Sequence, residues 1–366
     1  MWMIFMILPF LGIAYISWHL WILLPWSPIW KTLALLLGIG AFLLMFFNFS
    51  DRPDRMPLWV ATACYEVGNS IIFIMLYLVI IFLLLDLGRL FHLVPKALLV
   101  HNGLTAAGLA VLLFGVFLYG YLNYKDKKRV ELKVTTEKPI AKDYRVVMMS
   151  DLHLGYHNRR AELARWVDII NAEKPDFIVI AGDIIDKSTR PLMEEDMAAE
   201  LRRLDSPVYA CLGNHDYFSG LEGALQFYHD AHIHVLRDET MLIDSCIAVI
   251  GRDDQMNRRR KSIKDLVTSA SAHTQAPTFK ILLDHQPYHL EKAEQAGIDL
   301  QLSGHTHRGQ VWPISWISDA LYECSWGSHQ RGNTQYYVSS GMGIWGGKFR
   351  IGTQSEYVVI TIKPQQ

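Results

Sequence analysis

The chain has 366 residues, 51% apolar against 19% charged, with a formal net charge of -1. That balance excludes a globally basic surface, so no nucleic acid binding is expected, and the four cysteines (Cys64, Cys211, Cys246, Cys324) have neither the paired spacing of a thiolate metal site nor the density of a disulfide scaffold. The apolar excess lies almost entirely before Tyr124, which divides the chain into a transmembrane helical region over 1–124, a basic linker and first strand over 125–143, and an α/β domain over 144–366.

In chain order, residues 1–25 form an apolar run without the basic start and small-residue cleavage site of a signal peptide, and read as an uncleaved span. Runs over 32–49, 71–87 and 104–122 each approach the ~20 residues that a spanning helix requires, giving about four spans. Residues 58–70, which contain Glu66, read as an interfacial lead-in, and Glu66 and His19 are the polar groups that stand out near the spans. Arg52, Arg55, Lys125, Lys127, Lys128, Arg129 and Lys133 fall on one side, against Lys31, Arg89 and Lys96 on the other. Seven against three puts both termini and the carboxyl-terminal domain in the cytoplasm of a multi-pass protein of the cell inner (plasma) membrane.

Beyond Lys133 short apolar strands alternate with amphipathic helices. A strand over 144–149 ends at Ser150-Asp151-Leu152-His153, and a helix follows with Leu163, Trp166, Ile169 and Ile170 on one face. A strand over 177–181 ends at Gly182-Asp183-Ile184-Ile185-Asp186, and a helix is expected over 191–204. The strand over 208–211 runs into Leu212-Gly213-Asn214-His215-Asp216, with a helix from about Leu221. A hairpin over 241–243 and 246–250 precedes a strand over 279–283 ending at Asp284-His285, and another over 299–302 ending at Ser303-Gly304-His305-Thr306-His307. Strands over 336–339 and 357–362 would finish a second sheet.

Five times, then, an apolar strand ends in a cluster of Asp, Asn or His. Taken singly, each has a bland explanation, such as a helix cap for Asp151, Asp183 or Asp216, or a structural imidazole for His285. Together they converge on the edge of the sheet where open α/β folds bind ligands. Asp151 and His153, two apart, fall on one side of an extended segment, and His305 and His307 repeat the spacing. Carboxylate, amide oxygen and imidazole suit first-row divalent cations, and seven such groups exceed the needs of one ion, so two are implied at roughly 3.5–4 Å separation.

Asp151-Leu152-His153, Gly182-Asp183-Ile184-Ile185-Asp186, Gly213-Asn214-His215-Asp216, His285 and Gly304-His305-Thr306-His307 resemble the ordered motif set of the calcineurin-like metallophosphoesterases. The run at 304–310 and Ser339-Ser340-Gly341-Met342-Gly343 resemble its bacterial membrane-associated branch, with Arg308 where that branch commonly has Gly. The resemblance implies a two-sheet α/β sandwich with helices outside. It also implies one metal held by Asp151, His153 and His307, a second by Asn214, His285 and His305, and Asp183 bridging. The cofactors would be two divalent ions from among Mn2+, Zn2+, Fe2+ and Mg2+. A hydroxide between them would attack phosphorus, His215 would be the general acid, and Asp186 would orient it.

Lys187 stands where the protein phosphatases of the broader family carry Arg, which removes a bidentate clamp and argues against that activity. Arg258 to Lys261 reads as a solvated loop with phosphate binding as the rival, and Trp312, Trp316, Trp326 and Trp345 read mostly as core, with a membrane-surface role as the alternative. The expected activity is that of a membrane-anchored phosphodiesterase or diphosphate hydrolase acting on a phosphate ester, with a lipid-linked substrate and membrane lipids as partners. A UDP-2,3-diacylglucosamine diphosphatase-like enzyme of lipid A synthesis is the alternative within enzymes. A catalytically inactive membrane metal sensor or scaffold is the alternative outside them, and a transporter the third.

Overall fold

A computed structural model describes residues 2–272 and 277–365; Met1, where the first apolar run begins, lies outside them. The chain forms two units, Met1–Leu122 with Gly346–Phe349, and Asn123–Trp345 with Arg350–Gln366.

The helical unit contains α1 (Trp2–Leu23), α2 (Pro28–Asn48), α3 (Leu58–Leu90) and α4 (Gly103–Lys125). Of these, α2, α3 and α4 are long and apolar enough to cross a membrane, whereas the described apolar stretch of α1, Ile7–Leu23, is shorter. The expected lead-in over 58–70 is not a separate element but the start of α3, a continuous helix of 33 residues. Close packing explains this: a Cβ at Gly68 would stand 2.7 Å from the Leu44 carbonyl carbon, and Asn48 Nδ2 donates to the carbonyls of Cys64 and Tyr65 at 3.1 and 3.3 Å. Asp86 on α3 joins the polar groups read from the sequence. It accepts from Tyr15 Oη at 2.7 Å and lies 3.0 Å from His19 Nε2, so these groups, of which His19 is buried, satisfy one another.

The second unit is built on two six-stranded sheets. The first runs in the order β1 (Lys127–Thr136), β12 (Ser355–Pro364), β2 (Tyr144–Met149), β3 (Phe177–Ala181), β4 (Val208–Cys211), β5 (Ile233–Val235). The second runs β10 (Gly327–Arg331), β11 (Thr334–Val338), β9 (Leu300–Ser303), β8 (Phe279–Leu283), β7 (Ile247–Gly251), β6 (Glu239–Ile243). Helices α5 (Arg160–Ala172), α6 (Arg190–Glu194), α7 (Met197–Leu201), α8 (Asn214–Phe218) and α9 (Leu221–Asp230) connect strands of the first sheet. The later helices α10 (Ile263–Ala272), α11 (Glu291–Gln295) and α12 (Ile314–Leu321) belong to the half of the chain that builds the second.

Alternation along the strands sorts the core into layers. Val147, Met149, Ile178 and Ile180 pack with Leu163, Trp166 and Phe227 of the helices, while Val146, Met148 and Val179 pack with Ile247, Ile281 and Leu300 of the other sheet. Each such side chain contributes roughly 1.5–3 kcal/mol on full burial. The same rule relocates the last strand. Val358, Ile360 and Ile362 face the inter-sheet core and Tyr357 and Val359 the helix-side core, so β12 needs cover on both faces. It therefore sits inside the first sheet, parallel to β1 and antiparallel to β2, instead of finishing the second.

Two further expectations change. The helix over 191–204 is two short helices, because Asp196 between them adopts a left-handed conformation (φ 47°). Within the stretch read as a basic linker and first strand, the linker narrows to Asp126: β1 begins at Lys127, whose ammonium lies 3.5 Å from the Tyr124 ring centroid, while Lys125 pairs with Glu162 at 3.1 Å and Arg129 with Glu131 and Glu173, both at 2.7 Å.

The unit's boundary follows from these contacts. Asn123 donates to the carbonyls of Arg350 and Thr353 at 2.9 and 2.7 Å, and Tyr124 Oη to Asn158 Oδ1 at 2.7 Å. A fragment beginning at Asn123 is expected to unfold at least about 5 °C above one beginning at Lys133, which lacks those bonds and the first six of the ten β1–β12 register pairs. Thermal melts of the two fragments, monitored by circular dichroism, make the comparison; coincident midpoints would contradict it.

Candidate metal centre

Parallel pairing of β2, β3 and β4, and of β8 and β9, puts the carboxyl ends of these strands together, and every candidate side chain follows one of them. Strand alternation is not what aims them, however. Asp151 (φ 52°), His153 (φ 45°), Asp183 (φ 53°), His305 (φ 71°) and His307 (φ 47°) are all left-handed, so the chain turns sharply at each instead of continuing extended. A non-glycine residue held there costs on the order of 1 kcal/mol or more, and such strain clusters at functional sites.

These turns bring the side chains into linked groups. Ligand atoms of Asp151, His153 and His307 lie within 4.8 Å of one another, as do those of Asp183, His285 and His305. Asp183 Oδ2 links the two, 3.1 Å from His285 Nε2 in its own group and 3.8 Å from His153 Nε2 in the other. A third group holds His153, Asp186 and His215. In it the Asp186 carboxylate accepts from His153 Nδ1 at 3.2 Å, and its carbonyl from His215 Nδ1 at 2.8 Å. Asn214 is flanked by Gly213 and by His215, whose backbone N–H donates to Asp183 Oδ1 at 2.8 Å.

The donors fit a metal site. Asp151 Oδ2, Asn214 Oδ1, His285 Nε2 and His307 Nδ1 are buried without a hydrogen-bond partner, although buried polar atoms are ordinarily satisfied. His285 donates its Nδ1–H to the Ala181 carbonyl at 2.7 Å and His153 its Nδ1–H to Asp186, which leaves Nε2 of each for a cation, the outer-shell arrangement of ligating histidines. The set is oxygen and imidazole without thiolate, as first-row divalent ions prefer.

The buried charges bias one another. Burial would raise the Asp183 pKa, but His285 and His215 hold it well below the usual carboxylate range. Burial would lower His285, yet Asp183 and Asp151 push it well above an ordinary imidazole. His305, half-buried beside His285, drops to about 3 through desolvation and the neighbouring imidazole. His215 rises to about 9, because Asp183 and Asp186 outweigh its burial.

Residues 144–309 match the calcineurin-like phosphoesterase family. An uncharacterized metallophosphoesterase of Aquifex aeolicus is 30% identical over 253 residues, covering 67% of this chain and 95% of its own. The chain belongs to the calcineurin-like phosphoesterase family. It is therefore a metal-dependent phosphoester hydrolase. An uncharacterized metallophosphoesterase of Campylobacter jejuni is 29% identical over 261 residues (70% of this chain, 69% of the relative). A protein of Danio rerio named transmembrane protein with metallophosphoesterase domain is 29% identical over 360 residues (91% and 80%), so its likeness extends into the apolar helices.

Several supports of this metallophosphoesterase site carry no local sequence signal. Arg350 is fully buried and donates to the carbonyls of His307 at 2.8 Å and Gly343 at 3.2 Å. Asn158 Nδ2 donates to the carbonyls of Leu152, His153 and Ile344 at 3.1, 3.0 and 3.2 Å. His157 donates to the Ile344 carbonyl at 2.8 Å. The motif glycines have a different signal, the close approach they permit: a Cβ at Gly213 would meet Asp183 Oδ1 at 2.1 Å, and one at Gly304 would meet Asp151 Oδ2 at 2.3 Å.

At the rim, Arg260 is not solvated but donates to Asp284 Oδ1 at 3.3 Å and the Asp253 carbonyl at 3.1 Å, while Arg258, Arg259 and Lys261 are exposed. None of Trp312, Trp316, Trp326 and Trp345 is core; all four are exposed. Trp326 donates to Glu356 at 3.0 Å and carries the Arg308 guanidinium 4.3 Å from its ring centroid.

Asp216 is a helix cap and more. Its carboxylate accepts from the backbone N–H groups of Gly213 (2.8 Å), Ile185 (3.0 Å) and Asp183 (3.1 Å), and from Tyr228 Oη. Asp216→Ala strands three buried N–H groups at about 1–3 kcal/mol each, so the domain's calorimetric midpoint is expected to fall by roughly 10 °C. An unchanged midpoint would count against this role.

Proposed function

We propose that this metallophosphoesterase cleaves a phosphodiester or diphosphate bond with two divalent ions drawn from Mn2+, Zn2+, Fe2+ and Mg2+. Asp151, His153 and His307 would hold one, Asn214, His285 and His305 the other, and Asp183 both. The observation that carries this reading is Asp183 itself, a buried carboxylate grouped with His285 and His305 whose Oδ2 also lies 3.8 Å from His153 of the other group. Bound there, the two cations would lower the pKa of a water nucleophile and offset charge on the phosphoryl oxygens.

The remaining chemistry belongs to the chain. His215 is outside both ligand groups, and its Nδ1–H is fixed on the Asp186 carbonyl, which leaves Nε2 to give a proton to the leaving oxygen. The Asp186 carboxylate, 3.4 Å from His215 Nδ1, favours the protonated imidazole. Asp186 orients His215 and His153 together, so the acid and one ligand share a support.

We place the domain on the cytoplasmic side of the inner membrane, on the excess of Arg and Lys flanking the apolar helices on that side. We place its substrate at the membrane surface, attached to a lipid tail. What supports this is that only Asp126 separates α4 from β1 along the chain.

Two experiments test the reading. Asp183→Ala is expected to lose more bound metal than Asn214→Ala by elemental analysis, because the bridging group serves both ions; equal contents would refute the bridge. His215→Gln is expected to keep its metal and lose roughly 10²–10⁴-fold in turnover on alkyl esters, but much less on 4-nitrophenyl esters, whose leaving group departs without a proton. A uniform loss across leaving groups, or a loss of metal, would remove His215 from the acid role.

A further inference from the structure

A pair of tyrosines beside the site is used by none of the chemistry above. Tyr288 follows His285 by three residues on the loop after β8, and Tyr322 lies at the carboxyl end of α12. Their rings stack at 5.1 Å between centroids and 28° between planes, and their centroids lie 6.4 and 6.5 Å from the His305 imidazole. Tyr288 is 40% exposed, a large flat surface left open next to a candidate ligand.

The hydroxyls are as telling as the rings. Tyr288 Oη and Tyr322 Oη bond to each other at 2.8 Å, and among the described residues neither has another side-chain or backbone partner. Two O–H groups sharing one bond leave one proton free to donate outward. A stacked face with a spare donor at its edge is what a planar ring bearing hydrogen-bond acceptors requires, and stacking a base on an aromatic side chain is worth about 1–3 kcal/mol.

We propose that Tyr288 and Tyr322 form a subsite for a planar, acceptor-bearing ring, a nucleobase, carried by the group esterified to the phosphorus on the His305 side. The ring joins the stack as a third layer on the outer face of Tyr288, and the spare phenol proton bonds one of its acceptors. The subsite rests on the phosphodiesterase reading for its substrate but not for its existence, since binding is measurable without turnover.

The test uses the full-length protein in detergent with Mn2+. Quenching of 2-aminopurine riboside 5′-monophosphate reports stacking directly. The ratio of kcat/KM for thymidine 5′-(4-nitrophenyl phosphate) over methyl 4-nitrophenyl phosphate, which share a leaving group, reports selectivity for the base. The wild-type protein is expected to quench the probe and to favour the thymidine ester. Tyr288→Ala should abolish quenching and lower the ratio roughly fivefold or more. Tyr288→Phe, which keeps the ring, should retain quenching. Quenching or a selectivity ratio that survives Tyr288→Ala overturns the subsite, as does Tyr288→Phe behaving like Tyr288→Ala, because a contact that merely holds α12 in place would not distinguish the esters. Tyr288-dependent quenching with neither ester cleaved supports the subsite and overturns the phosphodiesterase reading instead.

Discussion

The site depends on a carboxylate that is in none of its ligand groups. Asp216 draws together the loop after β3, through the N–H groups of Asp183 and Ile185, and the loop after β4, through that of Gly213. Its own helix begins at Asn214, so the group that caps α8 also fixes the distance between Asp183 and Asn214. Burial and the nearby Asp183 raise its pKa to about 6, so holding it ionised is costly, and the N–H groups and the Tyr228 hydroxyl offset that cost. A neutral side chain could not accept all four bonds.

The other loops are held in the same manner, by groups that grip backbone carbonyls. Arg350 fixes the His307 and Gly343 carbonyls, and Asn158 those of Leu152, His153 and Ile344. Left-handed turns at five candidate ligands would relax if their carbonyls were free. With the His153 and His307 carbonyls engaged by Asn158 and Arg350, those two turns are held from outside their own loops. Glycine at 213 and 304 then lets one loop lie against the carboxylate of another at distances that no side chain would allow.

How much of this the amino-acid sequence discloses depends on range. The strands and polar clusters at their ends were legible because each is written in about ten adjacent residues, and the order of the clusters carried the family. What escaped depends on distant partners. Arg350 acts on His307 and Gly343 and has no pattern around it; Asn158 and Tyr124 acquire meaning only when joined. The sheet assignment of β12 failed because a strand apolar on both faces fits either sheet, and only its pairing with β1, more than 200 residues earlier, decides. The spacing of Asp151 and His153 suggested convergence for the wrong reason, since left-handed turns and not an extended strand direct them.

The basic residues after α4 show the same limit in electrostatics. Read as a run, Lys125 to Arg129 would draw the domain to anionic headgroups at about 1 kcal/mol each. In the fold Lys125 faces Glu162, Lys127 lies over Tyr124, Lys128 pairs with Asp126, and Arg129 faces Glu131 and Glu173. A charge already paired with a carboxylate contributes little further attraction, so these residues anchor the first strand to its own domain. Attachment to the membrane then falls to the apolar helices.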